Sequence, residues 1–255
     1  NSPFKRDIAK ELSEACHKVG VKVMWYYSQP DWYNADCLDK KNHSRYLKYM
    51  YAHLRHLNTN YGKIAGMWFD GLRTKWQDWN TPEMLKMIRT LQPGIIVNSR
   101  AGRSLKENGK RIHYDFDNAE LRFGKFQIDR PWEMCATMTE TWAWSGGNNL
   151  KPFKTCMRML VSAAGAGGNL ALNTGPKANG EINPPEALTL RKMGAWLKKN
   201  GQAIYGTTGG PYEPGLWGVS TRKDNKIYLH VTRSFGDGIA ATVDLRDPGA
   251  KVIKI

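Results

Sequence analysis

The chain has 255 residues, 41% of them hydrophobic, which is enough to bury the core of one large domain or of one domain with an appendage. Its 38 Lys and Arg against 23 Asp and Glu give a net charge of +15, which suits either a polyanionic partner or a solvated basic surface. The sequence shows no Lys/Arg block of the nucleic-acid type, no apolar run of about 18 residues and no CxxC spacing among its four Cys. These absences argue against a nucleic-acid binder, a membrane span and a zinc site.

Helical and strand patterns alternate along the first 206 residues. Apolar residues at helical spacing predict helices over 5–19, 43–57, 81–91, 150–164 and 185–199. Runs rich in β-branched and aromatic residues predict strands over 21–28, 63–70, 94–99, 132–138 and 168–174. Such an alternation favours an α/β fold with a parallel sheet.

The pattern changes after Gly206. Residues 215–232 alternate apolar with polar side chains around a turn at Asp224-Asn225, and 238–245 predict a further strand. We therefore predict a domain boundary between 1–206 and 207–255, with the opening strands of an antiparallel β domain in the second part.

The strand count bears on the architecture of residues 1–206. A (β/α)₈ barrel takes eight strand–helix units, whereas about five strands are predicted here, and the chain opens on a helix. The simplest interpretation is a barrel incomplete at its N-terminus, and the alternative is an open doubly wound sheet. On the barrel interpretation, we expect a missing N-terminal segment or a homo-oligomer to cover the open sheet edge.

Carboxylates occur at two places where a barrel would expose them. Asp70 directly follows the apolar strand ending in MWF, and active-site groups of parallel barrels lie at the carboxyl ends of strands. The segment 113–120, which we interpret as an irregular loop, carries Asp115, Asp117 and Glu120. One of these three acids could act with Asp70, although most loop acids are only solvated.

Other side chains near these strand ends are candidates for binding a ligand. Arg100 follows the strand over 94–99, and Asn98 two residues earlier would share its side if the strand continued. Trp68 lies two residues before Asp70 and shares its side. Two adjacent tyrosines end the first strand, and alternation allows only one of them to face the interior of a barrel. His53 and His56 are interpreted as surface or packing residues.

Six strings stand in order along residues 5–206. They are WYYSQPDW, MWFDG, IIVNSR, PWEMC, GGNLALNTGPKANGEI and GAWLKKNGQAIYG. Together they resemble the α-L-fucosidases of glycoside hydrolase family 29. The resemblance implies a barrel followed by a β-sandwich, release of terminal α-L-fucose from fucosylated glycans with retention, and no metal or cofactor. It also implies a secreted, periplasmic or lysosomal enzyme whose signal region is not in this chain.

The resemblance also implies roles for particular residues. Asp70 falls on the nucleophile of the family. Substrate-binding residues fall on Tyr26, Trp68 and Arg100. Glu120 fits best as the acid/base, with Asp115 and Asp117 as rivals. Two alternatives stay open: a hydrolase of sulfated fucan-type polysaccharides, which the positive charge would suit, and a non-catalytic glycan-binding relative.

Overall fold

The computed structural model describes residues 5–71, 76–101, 106–107, 110–111, 114–122, 124–146 and 149–232. The described residues form two compact units, one within 1–117 and one within 118–255. Within the described ranges, no helix combines the length and the apolar character that crossing a membrane requires.

The first unit is built on a parallel sheet with helices between its strands. Its elements in chain order are α1 (Ile8–Lys18), β1 (Val23–Ser28), α2 (His43–Thr59), β2 (Ile64–Asp70), α3 (Thr81–Leu91), β3 (Ile96–Val97), β4 (Lys106–Glu107) and β5 (Lys110–Arg111). The strand order is β1-β2-β3, and both neighbouring pairs are parallel. In the β1–β2 register, Tyr26 lies opposite Trp68 and Ser28 lies opposite Asp70, so the two strands end level with each other.

Helical periodicity accounts for how α2 packs. Tyr46, Met50 and Leu54 recur every four residues, are fully buried, and join Met67 and Phe69 of β2 in the core of the first unit. Asn80 occupies the cap position of α3, so Thr81 is the first residue of the helix and does not cap it. The Thr81 hydroxyl instead donates to the Ala101 carbonyl at 2.8 Å inside the core, where an unpaired hydroxyl would be costly.

The third predicted strand, 94–99, is much shorter in the structure, because β3 contains only two residues. A side chain replaces the missing strand pairing. Asn98 accepts from the Phe69 backbone N–H at 2.8 Å and donates to the Phe69 carbonyl at 2.9 Å. The chain then leaves the sheet as a 3₁₀ turn, Ser99–Ala101. The strand therefore does not continue to Arg100, so strand alternation does not apply to Asn98 and Arg100.

The second unit repeats the parallel arrangement. Its α/β part consists of β6 (Asp117–Glu120, whose first residue closes the first unit), β7 (Trp132–Thr137), α4 (Phe153–Gly165), β8 (Asn169–Asn173) and α5 (Pro184–Asn200). The order is β6-β7-β8, and β7 pairs with β8 in parallel from Glu133↔Asn169 to Thr137↔Asn173. Interpreting 113–120 as irregular was wrong for its second half, because the polar residues of β6 carry no apolar alternation that would mark a strand.

Close packing around Trp132 explains the two glycines of the GGN motif. A Cβ on Gly168 would lie 2.3 Å from the Trp132 indole, and one on Gly167 would lie 2.2 Å from the Gln127 carbonyl oxygen. Trp132 is almost fully buried, and its indole N–H donates to the Ala166 carbonyl at 3.2 Å. Close packing in this part of the chain therefore requires the two glycines of the motif.

The described tail is a small antiparallel sheet. It contains β9 (Thr208–Gly209), β10 (Gly218–Lys223) and β11 (Lys226–Val231), in the order β11-β10-β9. The predicted turn at Asp224-Asn225 joins β10 to β11. The predicted strand over 238–245 lies outside the described residues. The α/β pattern with parallel strand pairs is confirmed, whereas barrel closure, the β-sandwich and the boundary at 206 stay predictions.

Candidate active site

Asp70 ends β2 and receives three hydrogen bonds from within the first unit. The Tyr26 hydroxyl donates to Oδ2 at 2.8 Å, Arg100 Nη1 donates to Oδ1 at 2.8 Å, and the Gly71 N–H donates to Oδ1 at 3.0 Å. The Asp70 side chain keeps 24% exposure. The carboxylate is thus fixed in orientation by donors on both oxygens while one side of it stays accessible.

Arg100 forms the charged wall of the site. Its side chain is 4% exposed and lies in the 3₁₀ turn that follows β3. The guanidinium carbon lies 4.7 Å from the centroid of the Trp68 ring. A buried Arg paired with a carboxylate and packed on an aromatic face is held in a single geometry, because both contacts use the planar guanidinium.

Tyr26 and Trp68 form an aromatic wall beside the carboxylate. Their rings stack with centroids 5.6 Å apart and planes inclined by 22°. The arrangement follows from the register, which places these two residues opposite each other on neighbouring strands. Tyr27 points to the other face, where its ring meets Phe69 edge-on. Burial raises the pKa of the Tyr27 hydroxyl well above its ordinary value of 10. The two tyrosines thus point to opposite faces of the strand, as alternation predicts, and which of them faces a barrel interior stays a prediction.

Gly71 allows the strand end to close tightly. Its φ of 139° suits glycine, and a Cβ there would lie 2.6 Å from Cδ of Pro30. The Asp70 carbonyl accepts from the Gln29 N–H at 2.9 Å, so the chain leaving β1 is tied to the chain leaving β2. The DG pair in MWFDG therefore combines the candidate carboxylate with a glycine that the local packing requires.

The three acids of segment 113–120 have different surroundings. Asp115 accepts from the Val97 N–H at 2.7 Å and pairs with Arg89 at 3.0 Å, which favours a structural role. Asp117 and Glu120 lie at the two ends of β6, and both are half-buried. The assignment of Glu120 as the acid/base stays a prediction. Glu133, in the PWE string, accepts from Asn118 Nδ2 at 3.4 Å.

Metal ligation finds no support in the described residues. Among them, His, Cys, Asp and Glu side chains do not gather in groups of three or more that could hold an ion. The four cysteines, all of them among the described residues, form no disulfide bond.

Sequence reasoning missed an open groove beside Tyr26. Its volume is about 570 Å³, and it is lined by residues 26–28 of β1, the loop residues Pro30 to Tyr33, and Tyr49 and His53 of α2. His53 was interpreted as a surface or packing residue, and its ring does contact Tyr49 at 4.0 Å between centroids. The sequence signal that could have indicated this groove is the adjacent pair Trp32-Tyr33 in the loop after a strand end. It was missed because attention to the strands alone does not include loop residues.

Comparison with known proteins agrees with this geometry. The sequence model of a family described as Alpha-L-fucosidase matches residues 1–202. The human plasma α-L-fucosidase is 28% identical over 246 residues, which cover 88% of this chain and 51% of that protein. The chain thus spans about half the length of the curated relatives it matches.

Solved structures extend the similarity to three dimensions. α-L-fucosidase isoenzyme 1 from Paenibacillus thiaminolyticus is 32% identical with a TM-score of 0.81, over 90% of this chain and 61% of that one. A fucosidase from Bacteroides thetaiotaomicron is 30% identical with a TM-score of 0.79, over 91% of this chain and 58% of that one. These similarities place the chain among the glycoside hydrolases. Within that class, this chain belongs to the α-L-fucosidase family.

Proposed function

We propose that the protein containing this chain is a retaining exo-α-L-fucosidase in which Asp70 is the nucleophile. The observation that carries the proposal is the Asp70 carboxylate at a strand end, oriented by Tyr26, Arg100 and Gly71 and bordered by the Trp68 ring. A similar structure, from Bacteroides thetaiotaomicron, is described as a trapped covalent intermediate with 2-fluoro-fucosyl fluoride. That description supports a covalent mechanism in the family.

The reaction proceeds as a double displacement. Asp70 attacks the anomeric carbon of α-L-fucose, the glycosidic C–O bond breaks, and a β-linked fucosyl ester forms. We assign Oδ2 as the attacking oxygen, because Oδ1 accepts from both Arg100 and Gly71, whereas Oδ2 accepts from the Tyr26 hydroxyl. Glu120 gives a proton to the departing oxygen, then takes one from water as the water attacks the ester. The products are α-L-fucose and the free alcohol of the remaining glycan.

Three residues of the site support this chemistry without reacting. Arg100 holds one carboxylate oxygen, which keeps the other directed at the sugar. Trp68 and Tyr26 offer apolar surface to the sugar ring, and the Tyr26 hydroxyl stabilises the carboxylate before attack. The substrate we propose is a fucosylated glycan. A secreted or lysosomal location is proposed by analogy with the plasma and tissue enzymes among the relatives.

The decisive experiment follows the configuration of the product. The protein at its full natural length is mixed with an aryl α-L-fucoside, and the anomer that forms first is observed by proton NMR. We expect α-L-fucose first, followed by mutarotation. Asp70→Gly should lower turnover by at least about 10³-fold. Azide should restore activity to this variant and yield β-L-fucosyl azide, because azide replaces the missing nucleophile. Initial release of β-L-fucose would contradict the retaining mechanism.

A second candidate rests on the net charge of +15. A hydrolase acting on sulfated fucan-type chains would gain affinity from that charge, and its KM would rise steeply with salt. The two candidates are separated by measuring kcat/KM on neutral and sulfated fucosides at about 20 and 200 mM NaCl. A preference for the neutral substrate at both concentrations would exclude the second candidate.

A further inference from the structure

One lysine side chain closes the base of the loop that follows β7. We call residues 138–150 the β7 loop, of which the structure describes all but two residues. Lys151 directly follows this loop, and its ammonium donates to the Thr137 carbonyl at 2.8 Å, to the Thr137 hydroxyl at 3.1 Å and to the Thr139 carbonyl. Its backbone N–H donates to the Met138 carbonyl at 2.8 Å. Lys151 therefore joins the two ends of the β7 loop through four hydrogen bonds.

The geometry of this contact explains why the residue is a lysine. An ammonium directs three N–H donors from one atom, and here each donor has its own acceptor. The acceptors are two carbonyl oxygens and one hydroxyl oxygen, so the contact consists of directed hydrogen bonds and is not an ion pair. A planar guanidinium does not converge on three acceptors in this way. Arginine is therefore a poor substitute for Lys151, although it carries the same charge.

A row of threonine hydroxyls holds the interior of the β7 loop. The Thr137 hydroxyl donates to the Thr139 carbonyl, and the Thr139 hydroxyl donates to the Thr141 carbonyl at 2.9 Å. The Thr141 hydroxyl in turn donates to the Ala143 carbonyl at 2.7 Å. Such local bonds from side chain to backbone fix a loop that has no strand or helix pairing. Because the row starts at the two threonines that Lys151 contacts, a displacement of the ammonium would pass into the loop.

The β7 loop is also held against the end of β8. Asn173, the last residue of β8, donates from Nδ2 to the Trp142 carbonyl at 2.8 Å, and its own carbonyl accepts from the Met138 N–H at 3.0 Å. A Cβ on Gly175 would lie 2.5 Å from the backbone nitrogen of Trp144, so the two chain segments approach closely. The loop therefore has a fixed position at this strand end, with the indoles of Trp142 and Trp144 partly exposed.

The location of the β7 loop connects it with the proposed reaction. β7 and β8 are parallel, so their carboxyl ends lie at one edge of the sheet. Glu120, the proposed acid/base, ends the neighbouring strand β6, and the Leu121 N–H donates to the Cys135 carbonyl of β7 at 2.9 Å. In a parallel barrel, the loops at this edge form the substrate site. A displaced β7 loop would therefore alter the surface that receives the substrate near Glu120.

We infer that Lys151 is a positioning residue for the proposed reaction, because its ammonium holds the β7 loop as a fixed surface for the substrate. This inference rests on the proposed function and deepens it by assigning a role to a residue that does not itself react. The competing explanation is that Lys151 only stabilises the fold. The two explanations differ in what they predict for substrate binding by the folded protein.

The test measures the loop and the reaction separately, in the protein at its full natural length and well below the Tm of each variant. Lys151→Met keeps the length of the side chain and removes its donors. Hydrogen exchange of the amides in 139–146, followed by mass spectrometry, should become about tenfold faster. KM for an aryl α-L-fucoside should rise about tenfold while kcat changes by less than about twofold, because a binding surface contributes equally to the bound substrate and to the transition state.

Two further variants complete the design. Lys154→Met is the control, since Lys154 is an exposed lysine in the first turn of α4, and it should leave KM and the exchange rates unchanged. Lys151→Arg keeps the charge and lacks the convergent donors, so KM should still rise about threefold. This variant keeps the inference testable if Lys151→Met does not fold.

The remaining outcomes would overturn the inference. A lowered Tm with unchanged KM and unchanged exchange in the folded protein would show that Lys151 only stabilises the fold. An equal rise of KM in Lys154→Met, or no rise in Lys151→Arg, would show that positive charge matters and that the directed hydrogen bonds do not. If the unmodified protein did not hydrolyse the fucoside, the proposed function would fail and the positioning role with it, whereas the exchange rates would still decide whether Lys151 holds the β7 loop.

Discussion

The two parallel strand pairs β1–β2 and β7–β8 differ in the role of the residues at their ends. In the first unit, side chains near the carboxyl ends of β1 and β2 hydrogen-bond to each other, because the Tyr26 hydroxyl donates to the Asp70 carboxylate. In the second unit, the turn into β8 carries two adjacent glycines, one packed against Trp132, which begins β7, and the other against the Gln127 carbonyl. The longest and most specific motif of the sequence, GGNLALNTGPKANGEI, therefore begins with a packing constraint, whereas the short MWFDG carries the carboxylate of the candidate site. In this chain, therefore, the longer motif reflects close packing at its start, and the candidate carboxylate lies in a shorter one.

The largest expected effect would show that the second unit also supplies a catalytic group, contrary to the comparison above. If Glu120 is the acid/base, Glu120→Ala should lower kcat by about 10² to 10⁴-fold on substrates with poor leaving groups. It should have little effect on α-L-fucosyl fluoride, because fluoride departs without a proton. Azide should give α-L-fucosyl azide with this variant. The second unit would then supply chemistry as well as packing.

Matched variants at the rival acids complete that test. Asp117→Ala and Asp115→Asn should not show the same dependence on leaving group. If Glu120→Ala harmed both substrate types equally while one of the rivals showed the dependence, the acid/base would be reassigned to that rival.

The next effect sharpens the comparison within the first unit. Asn98→Ala would leave the backbone N–H and carbonyl of Phe69, directly before Asp70, without their side-chain partner. We expect kcat to fall by about 10²-fold through displacement of the nucleophile. Asn58→Ala is the control, because Asn58 is equally buried in the same unit and its amide donates to the Leu54 carbonyl away from the site. Similar losses of kcat in both variants would show that Asn98 contributes to general stability and does not specifically position Asp70.

A third prediction concerns packing in the second unit. Gly168→Ala would place a methyl group against the Trp132 indole and should destabilise the protein by about 1–3 kcal/mol, measured by urea denaturation. Gly194→Ala provides the contrast, since Gly194 lies inside α5 and a Cβ there meets nothing within 4 Å. That variant should be neutral or stabilised by up to about 1 kcal/mol. Equal destabilisation of both variants would contradict the packing interpretation of the GGN motif.

The smallest expected effect is a dependence of stability on pH. Burial lowers the pKa of His230, whose imidazole contacts the Thr221 hydroxyl at 2.9 Å. The unfolded chain binds a proton at His230 near pH 6.5, whereas the folded chain does so only at lower pH. The free energy of unfolding should therefore decrease as the pH falls below about 6.5. His230→Gln should flatten this decrease between pH 7 and pH 5, and an unchanged slope would exclude the residue as its source.

Periodicity sufficed for the elements whose burial is regular. The helices containing Met50 and Met193, and the parallel strands that contain Met67 and Met134, lie where their apolar spacing predicts them. β3 could not be predicted at its true length, because a side chain of Asn98 substitutes for backbone pairing. β6 escaped detection because all four of its residues are half-buried, so no alternating face marks it.

The candidate site was predictable in part. Strand-end position and the resemblance to a family together indicated Tyr26, Trp68, Asp70 and Arg100, and the structure brings these four together. The route by which Arg100 reaches Asp70 was not predictable, since it depends on a turn. The groove beside Tyr26 is lined partly by a loop that Asp31 holds through hydrogen bonds, which periodicity does not encode.

The short turn after β3 has a consequence for how this region can be altered. A 3₁₀ turn advances about 2.0 Å and rotates about 120° per residue, whereas a strand advances about 3.3 Å. Arg100 reaches Asp70 only because the turn Ser99–Ala101 begins directly after Asn98. One residue inserted between Asn98 and Arg100 would rotate the guanidinium away from the carboxylate. A mutant library in this segment should therefore vary residue identity and keep the length fixed.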